Sequence, residues 1–158
     1  MTLPLSSWRS AARTVFVRTG LTMGLVRVGF FQDFKSSDTL LIDGDSDGLR
    51  SLSRTFRQLA TTGTTRVALH ALPFVEIHQG LQIHASRSDR HAGAAFQGAG
   101  RIAWICSEPA WESAADKVDV LSNKGSGHEY LDDSSDVTVM ASIAEYGEIW
   151  WQEHGSLR

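Results

Sequence analysis

Short apolar runs that alternate at every second residue, with two stretches of helical period between them, constrain the fold of this chain most. Alternation is typical of a strand with one buried face, and apolar spacings of three and four are typical of an amphipathic helix. The runs predict strands over 25–31, 39–43, 66–78 with a break at Pro73, 81–85, 102–106 and 137–141, and helices over 49–59 and 111–121. Their order, ββαβββαβ, predicts an α+β fold: a mostly antiparallel sheet of five to seven strands with two helices packed on one face.

Other segments lack a clear period. Residues 86–100 are rich in Gly, Ala, Ser and charge, which predicts an irregular, mobile loop. Residues 149–151, Ile-Trp-Trp, are either a further short strand or a tail packed on the core. Residues 1–24 are an N-terminal extension, either a short amphipathic segment or a lead before a start at Met23, and residues 25–158 are a single α+β domain.

Composition favours a cytoplasmic protein. The chain has 158 residues, of which 42% are hydrophobic, so it can build a core without a disulfide or a metal. No apolar run approaches the roughly 18 residues of a membrane-spanning helix, and the first residues lack the continuous apolar stretch of a secretory signal. The single cysteine, Cys106, lies in the apolar run 102–106. We therefore expect a buried thiol rather than a nucleophile, in a reducing compartment.

Charge is distributed unevenly along the chain. Residues 107–158 carry eleven Asp and Glu against three Lys and Arg, a net charge of −8, which leaves +5 on residues 1–106. An acidic half disfavours nucleic acid as a partner and suits a cationic protein. The alternative is a solvated acidic surface that has no partner.

The sharpest local motif runs from Asp43 to Gly48 and matches the first six positions of a calcium-binding EF-hand loop. Calcium also needs a bidentate carboxylate at the twelfth position, which is Arg54 in this chain. An EF-hand loop also follows a helix, whereas this motif follows a predicted strand. We therefore expect a tight strand-to-helix turn whose carboxylates cap the helix.

Two groups of residues are candidates for chemistry. His70, His78 and His84 lie out of phase with the apolar residues of their strands, so they are either metal ligands on a shared polar face or ordinary polar residues. His128 and Glu129, in a predicted loop, are the candidate acid–base pair of a small hydrolase or metal-dependent enzyme. Neither a nucleophile elbow nor a phosphate-binding glycine loop accompanies them, so we predict no catalysis and no cofactor.

The adjacent tryptophans Trp150 and Trp151 suggest a binding surface. Neighbouring residues on a strand face opposite sides, so both rings can hardly be buried in one core. One ring is therefore a candidate anchor for a partner, beside the acidic residues that precede it. The predicted partner-binding residues are Glu129, Asp132, Asp133, Trp150 and Trp151.

Two stretches carry a resemblance. They are residues 40–52, which include the motif that begins at Asp43, and residues 111–132, which end in Gly-His-Glu-Tyr-Leu-Asp and precede a valine-rich strand. Together with that strand they cover about a quarter of the chain, and they resemble small bacterial immunity proteins of polymorphic toxin systems. The resemblance implies a stoichiometric inhibitor of a cognate toxin, with no catalytic residues to carry over.

The sequence thus favours a non-catalytic binding protein, most concretely an immunity protein whose acidic half covers a cationic toxin domain. Two alternatives stay open: a small enzyme built on His128 and Glu129, and a structural module that forms a homodimer through its tryptophan pair. Neither a membrane nor a nucleic acid is an expected partner.

Overall fold

A computed structural model of the chain describes residues 24–61 and 63–154. The predicted extension, residues 1–24, lies outside these ranges except for Gly24. Nine strands form one sheet: β1 (Val26–Phe34), β2 (Ser37–Gly44), β3 (Arg66–Ala68), β4 (Val75–Ile77), β5 (Gln82–Arg87), β6 (Gly93–Phe96), β7 (Arg101–Cys106), β8 (Gly127–Asp132) and β9 (Val137–Ile143). Three helices accompany the sheet: α1 (Ser46–Thr61), α2 (Glu108–Lys124) and α3 (Glu148–His154).

The sheet is mixed, and its strand order is β3-β5-β7-β6-β9-β2-β1-β4, with β8 also paired to β9. Three of its pairings are parallel, namely β1–β4, β2–β9 and β5–β7, and the other five are antiparallel. The predicted α+β class is confirmed. The predicted sheet of five to seven mostly antiparallel strands with two helices was only roughly right, because two strands and a third helix went unrecognised.

Three segments differ from the prediction for reasons of tertiary packing. The expected loop at residues 86–100 contains β6, whose sequence Gly-Ala-Ala-Phe has no apolar alternation. A Cβ added at Gly93 would lie 2.6 Å from Ser135 Oγ, so β6 requires a very small residue there. The expected loop around His128 is strand β8, which pairs with β9. The expected strand or tail at residues 149–151 lies within helix α3.

Strand alternation divides the apolar residues between two faces of the sheet. One face packs on α1 and α2 and forms the main core, which includes Val26 and Val28 of β1, and Leu40 and Ile42 of β2. The opposite face carries a smaller cluster of Leu41, Met140 and Trp151. All seven residues of β9 are buried, because this strand is covered on both faces.

Local chemistry defines the ends of the two long helices. The Asp45 carboxylate accepts a hydrogen bond from the backbone N–H of Gly48 at 2.6 Å, so the EF-hand-like turn caps α1 as expected. Ser107 caps α2 by accepting from the Ala110 N–H, and Gly125 ends it in the left-handed conformation, with φ of 77°. The predicted buried thiol is also confirmed, since Cys106 is buried and burial raises its pKa far above the usual range.

The sheet has a narrow junction between β6 and β9, which we call the seam. One residue pair, Ala94 with Val137, joins these two strands in the described part of the chain. On one side of the seam lie β3, β5, β7 and β6, the β7 half-sheet; on the other lie β9, β8, β2, β1 and β4, the β2 half-sheet. Helix α1 spans the seam, since Phe56 packs on Trp104 of β7 while its first turn follows β2 directly.

Candidate functional site

Helix α3 lies against the sheet face opposite α1 and α2, and its one buried side chain is Trp151. Trp151 is 1% exposed and packs with Leu41 and Met140. Its indole N–H donates to the Asp43 carboxylate at 3.1 Å, which places the helix over the ends of β2 and β9. A buried indole needs such an acceptor, so Asp43 and Trp151 fix the position of α3 together.

Around this anchor, α3 presents a partly exposed aromatic surface. Trp150 is half-buried, and its ring centroid lies 4.6 Å from Tyr146, 5.1 Å from Phe31 and 4.7 Å from His154. Ile149, one residue before it, is 70% exposed. Ile149 and the exposed part of Trp150 together give α3 an apolar outer surface.

Three carboxylates lie on or beside α3, and Lys35 adds one cation next to Phe34 and Tyr146. Glu145, Glu148 and Glu153 are all exposed on or beside α3. Two of them have local partners: Glu148 pairs with Arg27, and Glu145 contacts His128 Nδ1 at 2.6 Å. We define the α3 surface as Tyr146, Ile149 and Trp150 together with Glu145, Glu148 and Glu153.

An open cleft of about 410 Å³ adjoins the α3 surface at the carboxyl ends of the parallel strands β2 and β9. Tyr146 and Arg27 line it together with two carboxylates, Asp43 and Asp45. The Arg27 guanidinium is engaged, because its Nε lies 3.1 Å from Glu76 and its Nη2 pairs with Glu148. The charged groups of the cleft are all engaged within the chain, since Asp43 accepts from Ser142 and Trp151 and Asp45 accepts from the Gly48 N–H.

Burial changes the acid–base behaviour of two groups in the cleft. Desolvation raises the pKa of Asp43, although hydrogen bonds from Ser142 and Trp151 oppose that rise. Desolvation likewise raises the pKa of the Tyr146 hydroxyl, against the opposing charge of Lys35. Both groups therefore favour their neutral forms more than they would in water.

The five predicted partner-binding residues do not form one surface. Trp150 lies on the α3 surface, and Trp151 is the buried anchor beneath it. Glu129 lies near α2, with its carboxylate 3.5 Å from Lys124 Nζ, and Asp133 is exposed in the turn after β8. Asp132 is buried and accepts a hydrogen bond from the Trp104 indole at 2.9 Å, so it belongs to the main core.

The side chains of the candidate pair, His128 and Glu129, point away from each other because both residues lie on strand β8. Adjacent residues on β8 point to opposite faces of the sheet, so the two side chains do not meet. His128 instead contacts Glu145, on the α3 side, and its ring lies 5.7 Å from that of Tyr130. The two side chains therefore cannot both reach one substrate atom.

The three candidate metal-binding histidines are also divided. His70 and His84 have ring centroids 5.2 Å apart, but Nδ1 of His70 accepts from the Ile83 backbone N–H at 2.9 Å. Burial lowers the pKa of His84, and the positive charge of Arg66 adds to this effect. The same positive surroundings oppose a metal cation. His78 lies elsewhere, packed on the Trp151 ring at 4.6 Å.

Sequence reasoning missed two features that the fold assembles. The first is the pairing of Ile149 with Glu153 on one face, which a helix produces and the predicted strand or tail at 149–151 does not, together with Tyr146, which precedes α3. The second feature is a cluster of His91, Cys106 and Asp132, whose potential ligand atoms all lie within 4.8 Å of one another. Its spacing matches no sequence signature, because three separate elements supply the residues.

Comparison of the chain with protein-family models, curated proteins and solved structures found no match. Across residues 24–61 and 63–154, the helices are too short or too polar to cross a membrane.

Proposed function

We propose that this chain is a non-catalytic binding protein that holds a cationic protein on its α3 surface, most concretely as an immunity protein that neutralises a cognate toxin. The observation that carries the proposal is the partly exposed Trp150 and the exposed Ile149, with three carboxylates on or beside the same helix. Aromatic anchors within a charged rim are the usual arrangement of a protein–protein interface.

The aromatic part of the surface supports binding because it is already ordered. Trp150 contacts the rings of Phe31, Phe34, Tyr146 and His154, with centroid distances between 4.6 and 6.0 Å. A side chain fixed before association loses little conformational entropy when the complex forms. Because Trp151 is buried, the whole helix α3 is also held in place before association and loses little conformational entropy on binding.

The charged part of the surface indicates the kind of partner. Three carboxylates flank α3, and Asp43 and Asp45 line the neighbouring cleft. A lysine or arginine side chain from a partner fits a cleft of about 410 Å³ whose own arginine is already paired. Opposite charge across the interface would also accelerate association, and added salt would reduce that acceleration.

The same charge argues against a homodimer through α3. A twofold contact places the same patch on both subunits, so Glu148 and Glu153 of one copy would approach those of the other. Like charges that meet in this way destabilise association. A cationic partner avoids that repulsion.

Co-expression with the products of the neighbouring genes tests the proposal, followed by a binding titration with any purified pair that forms. We expect Trp150→Ala to weaken the complex by about thirtyfold or more and Ile149→Ala to weaken it less, since anchors dominate such interfaces. The matched control is Val120→Ala, because Val120 is an exposed aliphatic residue on α2, across the sheet from α3.

Charge is tested separately. Glu153→Lys should slow association and reduce its salt dependence, whereas Asp136→Lys, an exposed acid away from α3, should have a smaller effect. Absence of a complex with any genomic neighbour at micromolar protein would contradict the proposal, as would equal losses for Ile149→Ala and Val120→Ala.

A further inference from the structure

Three elements meet at one point beside the seam and bring together His91, Cys106 and Asp132. Cys106 is the last residue of β7, and Asp132 is the last residue of β8. His91 lies in the turn before β6, and the backbone N–H of Ala92 donates to the Ile105 carbonyl at 3.0 Å, which holds this turn against β7. We call these three residues the Cys106 cluster.

The distances within the cluster match those between ligands of a tetrahedral metal ion. His91 Nε2 lies 3.2 Å from Asp132 Oδ2, and Cys106 Sγ lies 3.6 Å from the same oxygen. Zinc with sulfur at about 2.3 Å and nitrogen or oxygen at about 2.0 Å separates its N and O ligands by roughly 3.3 Å and its S and O ligands by roughly 3.5 Å. Two of the three ligand pairs therefore already have the required spacing.

The third pair needs a modest movement. Sγ of Cys106 and Nε2 of His91 lie within 4.8 Å of each other, against roughly 3.5 Å around a bound zinc. His91 is the exposed member of the cluster, and it lies in a turn rather than in a strand. To close the site, His91 Nε2 must exchange its 2.8 Å hydrogen bond with Ser134 Oγ for the metal, while Cys106 and Asp132 keep their places at the ends of β7 and β8.

Neighbouring groups support the carboxylate as a ligand. The Trp104 indole N–H donates to Asp132 Oδ2 at 2.9 Å, while the backbone N–H and the hydroxyl of Ser134 donate to Oδ1 at 3.0 and 2.6 Å. Hydrogen bonds of this kind orient ligands around protein metal centres. They hold the carboxylate in place before any ion arrives.

We propose that the Cys106 cluster binds one divalent transition-metal ion of the zinc class, with Cys106 Sγ, His91 Nε2 and Asp132 Oδ2 as its ligands. A mixed sulfur, nitrogen and oxygen set suits zinc or cobalt and does not suit calcium or magnesium, which prefer oxygen alone. Binding displaces the proton of the Cys106 thiol to solvent, and the resulting thiolate together with the Asp132 carboxylate neutralises a dication, so the occupied site carries no net charge into the core. Three protein ligands leave the fourth position open.

An ion in the Cys106 cluster would connect the two half-sheets, because its ligands come from both. His91 and Cys106 belong to the β7 half-sheet, and Asp132 belongs to the β2 half-sheet. One residue pair joins β6 to β9 among the described residues, so an ion held between the halves would reinforce the seam. Binding to the folded state alone should raise the temperature of unfolding.

Titration of the full chain with cobalt, after chelator treatment, tests the site. Cys106 is the only cysteine, so a thiolate-to-cobalt charge-transfer band can come from this residue alone. We expect that band at one equivalent of cobalt, its replacement by zinc, and its loss in Cys106→Ser. His91→Ala should weaken cobalt affinity by more than about tenfold.

His84→Ala is the matched control, because His84 is a half-exposed histidine in the other histidine group. Circular dichroism of each variant verifies folding, and His91→Ala keeps the test decisive if Cys106→Ser does not fold. Absence of a charge-transfer band in the wild-type chain would overturn the proposal. So would wild-type affinity in His91→Ala, or a loss in His84→Ala as large as that in His91→Ala.

Discussion

Asp43 shows how one residue serves several parts of the molecule. Its carboxylate accepts from Ser142 at 2.9 Å and from the Trp151 indole at 3.1 Å, so it links β2, β9 and α3. It also lines the cleft proposed to receive a cationic side chain. Asp43 is therefore an acidic residue in a partly buried position, where burial raises its pKa and disfavours its charged form.

The raised pKa of Asp43 should be visible in how the free energy of unfolding depends on pH. A carboxyl group whose pKa is raised on folding stabilises the protein below its ordinary pKa of 3.8, and that contribution is lost as pH rises through the raised folded value. We expect Asp43→Asn to gain stability relative to wild type as pH rises from about 3 toward neutrality, because Asn remains neutral. Denaturant unfolding across this range measures the difference.

Every other group titrates in both proteins, so the difference between them isolates Asp43. Below about pH 3 the carboxyl group is protonated in both states, so the stability difference between Asp43→Asn and wild type then reflects only the altered hydrogen bonds to Ser142 and Trp151. A difference that stays constant with pH would contradict the raised pKa.

At the scale of the element, α3 depends on the sheet beneath it. It has seven residues, too few for a stable isolated helix. Its one fully buried side chain is Trp151, so packing rather than helix propensity maintains it. We expect Trp151→Ala to cost about 3–5 kcal/mol and to release α3.

Hydrogen exchange distinguishes release of α3 from general destabilisation. In Trp151→Ala the amides of 151–154 should exchange much faster, while those of α2 should follow only the global loss of stability. Trp150→Ala is the control, because Trp150 is half-buried and its loss leaves the anchor in place. Unchanged protection of α3 in Trp151→Ala would contradict this account.

The elements predictable from sequence are those whose own residues determine them. Helix α1 has an apolar face at Leu49, Leu52 and Phe56 and a cap at Asp45, and it forms where the pattern predicts. Strands β1, β2, β7 and β9 have apolar runs long enough to specify burial. Strand β6 has no such run; it forms because β7 pairs with it along four residues.

The α3 surface, where we propose that a partner binds, was predictable only in part, for the same reason. Adjacent tryptophans indicated that one ring would lie near the surface, and Trp150 does. The acidic residues could not be assigned to a surface without the topology. Asp132 in particular follows a bulge in β8 that turns its side chain into the core.

At the scale of the whole molecule, neither half-sheet is a continuous piece of the chain. The chain crosses between the halves four times: from β2 to β3, from β3 to β4, from β4 to β5, and from β7 to β8. Both halves also share the core under α1 and α2. A narrow seam therefore does not make them independent folding units.

We expect the two halves to open together in spite of the seam. Native-state hydrogen exchange should give the same opening free energy for the most protected amides of β2 and of β7, equal to the global free energy of unfolding. Phe56→Ala, at the junction of α1 with Trp104, should lower both values by the same amount. Persistence of protection in one half while the other exchanges would contradict a single cooperative unit.

The place of β9 in the chain has a consequence for biosynthesis. This strand lies between β2 and β6 in the sheet, yet it follows all the other strands in the described part of the chain. While the chain leaves the ribosome, the edges of β2 and β6 stay open until residues 137–143 emerge. Open strand edges are sites of wrong pairing with other chains, so the order of synthesis leaves both half-sheets exposed to such pairing until their central strand arrives.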